Sequence, residues 1–341
     1  MDYAIATVQK IEPHPNADRL EVATVLGWRC VVAKDSLNVG DEVVYIAPDA
    51  QILDPEAPWC EGFRNYLGSA GRVRTTKLRG VYSEGIVLPN KDIIAMFELI
   101  DPSILIQHYE PPAPPASLAG LIRGPGLPYH LSKTDQENVQ SLPPALYLGK
   151  PYYVTRKMDG SSCTITFETR TQEVHVTSRS VDLKLEGNDE NAFIKAATPI
   201  IEGLKAYTPT DKNYVLILRG EVCSEGIQRK KINKDAKGEP TFNLFEARYH
   251  DLERMSEPVF LDIFGNDPLP TNDIPYLDEL KTIVGNIVPL VEVVDALSVC
   301  TIERYLNAPA SDGEGVVLWT KDLSVNNHSF KIKSKDYDSK L

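Results

Sequence analysis

The chain opens with short segments in which apolar and polar residues alternate. YAIATVQKI (3–11) alternates, EVATVLGWRCVVA (21–33) gathers β-branched residues around a Gly-Trp pair, and DEVVYIAP (41–48) follows Asn-Val-Gly. Each reads as a strand bounded by turn residues, and strands at this spacing predict a small closed barrel. GRVRTTKLRGVYSEGIVLP (71–89) continues the pattern with basic residues set between apolar ones. HYEPPAPPASLAG (108–120) then breaks it; its prolines favour an extended, semi-rigid spacer. The expected organisation is a barrel domain over 1–107, a Pro-rich linker over 108–120 and a second domain over 121–341.

The second half mixes periods. YYVTRKM, SCTITFE and EVHVTS predict three successive strands, the last two joined by a hairpin at ETRTQE. NDENAFIKAATPIIEGLKAY (188–207) has helical spacing at Ala192, Ala196, Ile200 and Leu204, with Asn188 or Asp189 as cap and a kink expected at Pro199. YVLILRGEV reads as a buried strand. NDIPYLDELKTIVG reads as a helix with Pro275 in its first turn and Gly285 closing it, and EGVVLWT and SFKIKS as final strands. The class is α+β, built on antiparallel sheet.

Composition bounds the setting. Hydrophobic content of 42% and charged content of 25% suit a globular protein. No apolar run reaches membrane-spanning length, and MDYAIATVQK lacks the basic and apolar regions of a secretory signal. Five scattered cysteines and six scattered histidines offer neither a disulfide framework nor a zinc site. A cytoplasmic, reducing location without membrane contact is therefore expected. The net charge of −12 argues against nucleic acid, but its distribution does not. Arg64, Arg72, Arg74, Lys77 and Arg79 lie between Gly62 and Ser83 without an acid, and QRKKINKDAK (228–237) and KIKSK (331–335) are two further basic runs. Arg72, Arg74, Lys77, Arg79 and Gln228 are the candidate nucleic-acid contacts.

Charged residues also sit where predicted strands end: Lys157-Met158-Asp159-Gly160, Ser178-Arg179, Arg219-Gly220-Glu221, Glu314-Gly315, and Lys331 with Lys333. Charge at the end of a buried strand costs free energy unless paired, so one shared cleft would explain them together. This ordered set resembles the covalent nucleotidyltransferase superfamily of polynucleotide ligases and mRNA-capping enzymes. Lys157 to Gly160 matches its K-x-D-G, Ser178-Arg179 its S-R element and Gly220-Glu221 its strand ending in Gly-Glu. Phe245-Glu246 matches its aromatic followed by an acid, Glu314 to Val317 its E-G-x-V, and Lys331 with Lys333 its K-x-K, over roughly 180 residues. GEVCSEGIQ (220–228) is similar to a segment of RNA-nick-sealing and RNA-editing ligases. Eight residues follow Lys333, which leaves no room for the C-terminal OB module of DNA ligases and capping enzymes. With an N-terminal module reading I-x-P-H-P-N-A-D-R-L-E, the arrangement resembles the Deinococcus/Naegleria type of RNA ligase. HPNADRLEVA is also similar to tRNA-binding OB modules. One departure is Arg156, where many relatives carry Glu.

The resemblance implies an OB-like β-barrel followed by an adenylyltransferase domain with an ATP-grasp-like ligase core. It implies attack by Lys157 on ATP to give a lysyl-AMP, transfer of AMP to an RNA 5′-phosphate, and sealing by a 3′-hydroxyl, with nicks in a duplex as the expected substrate and a monomer as the expected state. Glu221 would contact the ribose, Phe245 would stack on adenine, Lys331 and Lys333 would bind the α-phosphate and Arg179 the phosphates or ribose; Arg156 and Gly160 join the nucleotide site. Asp159, Glu221 and Glu314 are the candidate ligands of Mg²⁺ or Mn²⁺. The chemistry supports a metal, because a free lysine has a pKa of about 10.4 and only about one in a thousand is uncharged near pH 7.4. Nearby acids raise that value further, and a divalent cation reverses the effect. On the residues alone, Phe242 and Trp28 read as core, Arg219 reads equally as a structural ion pair, and three functions stay open: an RNA ligase, another covalent nucleotidyltransferase, or a non-catalytic RNA-binding protein.

Overall fold

The computed structural model describes residues 2–109, 121–125, 127–207, 213–227, 233–252, 258–265, 277–322 and 329–340. The chain divides into two compact units. One holds 1–113, 139–143 and 335–341, and the other holds 114–138 and 144–334.

In the first unit, the alternating segments form a five-stranded antiparallel sheet whose spatial order is Trp28–Ala33, Leu20–Val25, Tyr3–Pro13, Glu42–Ile46, Ile86–Leu88. Val43 and Tyr45 pack with Trp28 on one face while Val44 and Ile46 pack with Phe97 on the other, as period-two alternation requires. Trp28 is core, stacked on Tyr45 at 6.3 Å. The 71–89 segment supplies the hairpin Thr75–Leu78 and Val81–Glu84, turned by Arg79 and Gly80 at φ 45° and 92°. His14, from the HPNAD stretch, is a structural residue. Its Nδ1 accepts from the Asn16 N–H at 3.1 Å, so Nε2 carries the proton and donates to the Leu78 carbonyl at 3.1 Å.

Three boundaries differ from the expected ones. The strand Ile106–His108 pairs with Ala50–Ile52, so the first unit runs past 107, and 110–120 of the expected linker lies outside the described residues. Segments 139–143 and 335–341 belong to the first unit rather than the second. The physical cause is Glu84, 2% exposed, whose carboxylate pairs with Lys335 Nζ at 2.9 Å and accepts from Gln140 Nε2 at 3.4 Å. A buried carboxylate requires such partners.

The second unit contains two sheets. Seven strands run Ile122–Pro125, Val181–Leu183, Val174–Thr177, Ser161–Glu168, Tyr214–Cys223, Thr241–Asp251, Val259–Leu261; five run Glu137–Asn138, Ser329–Lys333, Gly315–Thr320, Tyr152–Arg156, Leu290–Val294. All pairings are antiparallel except the short one between Glu137–Asn138 and Ser329–Lys333. The helix Ala192–Tyr207 continues through Pro199 and lays Ala196, Ala197, Ile200 and Leu204 against the seven-stranded sheet. Its start is set by Asn191, whose side chain accepts from the Phe193 N–H at 2.9 Å. Asn188 instead donates to the Leu121 and Lys184 carbonyls. The later helix is Leu277–Val284, followed by Gly285 at φ 78°; Pro275 lies outside the described residues.

Candidate active site

Lys157 follows directly on Tyr152–Arg156, and Ser161–Glu168 begins four residues later in the other sheet, so K-M-D-G is the crossover between the two sheets. Two glycines make the crossover tight. A Cβ on Gly160 would run into the Val222 carbonyl, and its N–H donates to Glu221 Oε1 at 3.1 Å. Gly315, at φ 145°, has no room for a Cβ against the Ile332 carbonyl, and its own carbonyl accepts the Lys157 N–H at 2.9 Å. Across this contact Gly315 pairs with Lys333 and Val317 with Lys331, so both lysines share one strand face while Phe330 and Ile332 are buried on the other.

Lys157 Nζ donates to Glu314 Oε2 at 2.7 Å. Burial works against its ammonium, but the Glu314 and Glu221 carboxylates outweigh burial and the repulsion of Lys333, so its pKa stands above the ordinary lysine value. Glu221 moves the same way. Burial pushes its carboxyl up, Lys157 and the Gly160 N–H oppose, Glu314 and Asp159 add to the rise, and the result is about 8. Lys157, Glu221, Glu314 and Lys333 are therefore one electrostatic unit of two amines and two carboxyls.

Asp159 is 9% exposed and held through its backbone. Its N–H donates to Asp235 Oδ2 at 3.1 Å, and its carbonyl accepts from Asn233 Nδ2 at 2.8 Å. Asn233 in turn accepts the N–H groups of Asp235 and Ala236, and Asp235 also pairs with Arg156. Arg156 thus meets a carboxylate of the second basic run. Neither Asn233 nor Asp235 was expected from sequence, because that run reads as solvated charge.

The strand Thr241–Asp251 carries a β-bulge opposite Arg219 and Gly220. Glu246 opposes Arg219 and Leu244 opposes Gly220, which leaves Phe245 as the extra residue. Leu244 keeps its backbone bonds by pairing with Asn286 and Val288, and Phe242, Leu244 and Ala247 pack into the helix-side core. Phe245 packs elsewhere, stacked on Trp319 at 5.8 Å beside Val317 and Met158. Trp319 is fixed by donating to Thr155 Oγ1 at 2.9 Å.

Phe245 and Glu246 also line a cavity of about 610 Å³ together with Arg219, Arg248 and the segment Ser132–Glu137. Arg219 is 3% exposed; it pairs with Glu246 at 3.4 Å and donates to the Ser132 carbonyl at 2.9 Å, while burial lowers its pKa. Its Nε is buried without a hydrogen-bond partner among the described residues, as is that of Arg179. Arg179 is tied to Asp135 at 2.8 Å, and Thr134 shares a 2.5 Å hydrogen bond with Ser162. Ser132–Glu137 was missed in the sequence, since it has neither periodicity nor a charge run.

Against this geometry, an OB-fold domain model matches residues 3–90 and an RNA ligase model matches residues 150–333. The chain belongs to the RNA ligase family. A lysine-to-alanine variant of Naegleria gruberi RNA ligase with ATP and Mn is 27% identical with a TM-score of 0.75, over 100% of this chain and 99% of that one. A glutamate-to-alanine variant with AMP and Mn is 27% identical with a TM-score of 0.73, over 99% and 98%. The form with PPi is 27% identical with a TM-score of 0.72, over 98% and 97%. No curated protein matches the chain. The family and the two-part architecture agree with the resemblance drawn from the motifs.

Not every candidate joins the cluster. Among the described residues no group of three or more His, Cys, Asp and Glu is placed to hold a metal ion, so Asp159, Glu221 and Glu314 do not form a three-carboxylate cage. Glu314 pairs with Lys157, Glu221 Oε1 accepts from the Gly160 N–H, and the backbone of Asp159 is held by Asp235 and Asn233. In the first unit, Arg72 pairs with Asp49 and lies over Tyr109, and Lys77 donates to Tyr82 at 3.1 Å. Arg74 and Arg79 are exposed, and Gln228 lies outside the described residues. No helix among the described residues is long and apolar enough to cross a membrane.

Proposed function

We propose that the protein is an ATP-dependent RNA ligase that joins 3′-hydroxyl and 5′-phosphate ends at nicks in a duplex. The observation that carries this is the Lys157–Glu314 contact of 2.7 Å, with Lys333 and Glu221 close enough to set the charge of the same amine. A lysine is suited to this chemistry because it can lose its proton, which a guanidinium cannot.

Lys157 gives up a proton and its Nζ attacks the α-phosphorus of ATP; the P–N bond forms as the bond to pyrophosphate breaks. An RNA 5′-phosphate oxygen then attacks the same phosphorus and frees the lysine. Finally a 3′-hydroxyl attacks the activated 5′-phosphate, and AMP leaves. Lys331 and Lys333 offset the α-phosphate charge, and the excluded water strengthens their effect. Phe245, offset from its own strand by the bulge, offers a ring to the adenine. The cavity beside it is lined by Arg219, whose buried Nε has no hydrogen-bond partner among the described residues, which suits a polar nucleotide edge. Arg156 and Arg179 act from the margins through Asp235 and Asp135.

The donor set fits Mg²⁺ or Mn²⁺. Both prefer oxygen, and Mg²⁺ is commonly held by one or two carboxylates together with substrate phosphates, so a three-carboxylate cage is not required. Glu314 and Glu221 would hold it, with Asp159 next to them, and Glu221's raised pKa marks a carboxylate that a cation would relieve. When bound, the ion neutralises phosphate charge and favours the uncharged amine.

Incubation with ATP and Mg²⁺ followed by intact-mass measurement tests the reading. The expected result is an added AMP on Lys157, discharged by a nicked duplex with RNA ends and converted to a sealed strand. An unmodified protein, or an adduct that RNA never discharges, overturns it. Monomeric, cytoplasmic action belongs to the same proposal.

A further inference from the structure

The first unit carries a larger concavity that the ligation chemistry does not use. It encloses about 950 Å³, and Val31, Leu37 and Trp59 form part of an apolar floor. Tyr66 stands at its wall with 52% of its surface exposed, and Arg74 and Arg79 are its only basic lining residues. Among the lining residues Glu61 is the single acid, in a chain of net charge −12.

The fold sorts the basic run here. Strand alternation turns Thr76 and Leu78 into the groove and Lys77 away from it. Lys77 goes to Tyr82, with Asp336 at 4.0 Å, and Arg72 goes to Asp49 and Tyr109. Arg74 and Arg79 both face the groove. An apolar floor with one exposed aromatic ring, flanked by guanidinium groups without an ion-pair partner among the described residues, suits unstacked bases joined by phosphates. A paired duplex hides its base faces and would use the cations but not the floor.

We infer that this groove binds an unpaired stretch of the RNA substrate, with a base on Tyr66 and phosphates on Arg74 and Arg79. The inference rests on the RNA ligase reading and narrows its substrate to nicked RNA with a single-stranded segment.

Fluorescence anisotropy of the full chain tests it on a nicked duplex with blunt ends and on the same duplex with an unpaired extension of about eight nucleotides, within the range one OB fold covers. The extension should tighten binding about tenfold, and Arg74→Ala with Arg79→Ala should remove that gain. The double variant should also lower the slope of log affinity against log salt by about 1.4 on the extended RNA, near 0.7 for each lost single-strand phosphate contact. Lys10→Ala, outside the groove, should keep the gain. Tyr66→Ala should weaken the extended complex about tenfold and Tyr66→Phe should restore it, the mark of a stacked ring face. An extension without effect, or a double variant that keeps the gain, overturns the inference. A double variant that weakens both RNAs equally overturns it in favour of a duplex track. Formation of lysyl-AMP by the unaltered protein is read separately, so failure of the ligase reading and failure of the groove remain distinct.

Discussion

Two of the cation–carboxylate pairs in the ligase domain are built to opposite ends. Arg219 and Glu246 are 4% and 9% exposed in their side chains; Glu246 is shared with Arg248, and Arg219 is anchored to the Ser132 carbonyl. Lys157 and Glu314 are 21% and 11% exposed, and a second carboxylate, Glu221, competes for the same ammonium. The first pair is almost fully buried and its cation cannot deprotonate. The second is left open and in tension, with a cation that can. On the proposed reading reactivity lies in the more exposed pair, and the buried one belongs to the sheet that carries Glu221.

The sharpest way to break this contrast is to exchange the cations. Lys157→Ala should abolish the AMP adduct, a loss beyond a thousandfold by intact mass, and Lys157→Arg should do no better although it keeps the charge. An adduct on the arginine variant would show that proton loss is not the point. Next in size, Arg219→Ala should cost about 2 kcal/mol in chemical denaturation, the loss of its charged hydrogen bonds while Glu246 keeps Arg248. A variant with unchanged midpoint would remove Arg219 from the framework.

Phe245→Ala should raise the KM for ATP about tenfold with a smaller change in kcat, while Phe245→Tyr stays near the original. The smallest effect sharpens the tension itself. Glu221 has a carboxyl raised from 4.5 to about 8. The folded state therefore holds a proton that the unfolded chain has released, and stability should fall as pH rises from about 4.5 through 8 without metal. Glu221→Gln should flatten that slope in thermal melts; an equal slope in both proteins would place the penalty elsewhere.

Much of this was legible in the sequence, because strand-end charge has few explanations. Lys157, Glu221, Glu314 and Lys333 were expected together and are together. Phe242 packs in the helix-side core and Phe245 against Trp319 outside it, on opposite faces as alternation places residues three apart. What could not be read depends on contacts distant in sequence. Thr134 meets Ser162, and Asn233 holds Asp159, through single hydrogen bonds that leave no periodic trace. Lys335 looked like the end of a basic run, yet it is buried on Glu84, 251 positions earlier in the chain.

The extra residue in Thr241–Asp251 separates the aim of a side chain from its identity. Because an insertion, and not a residue type, turns position 245 out of the helix-side core, the ring there could be exchanged in the course of descent without disturbing the layer beneath. Removing one residue from that strand would send the aromatic back among the aliphatics. On the proposed reading, base preference would be free to drift here, while the length of the strand would not.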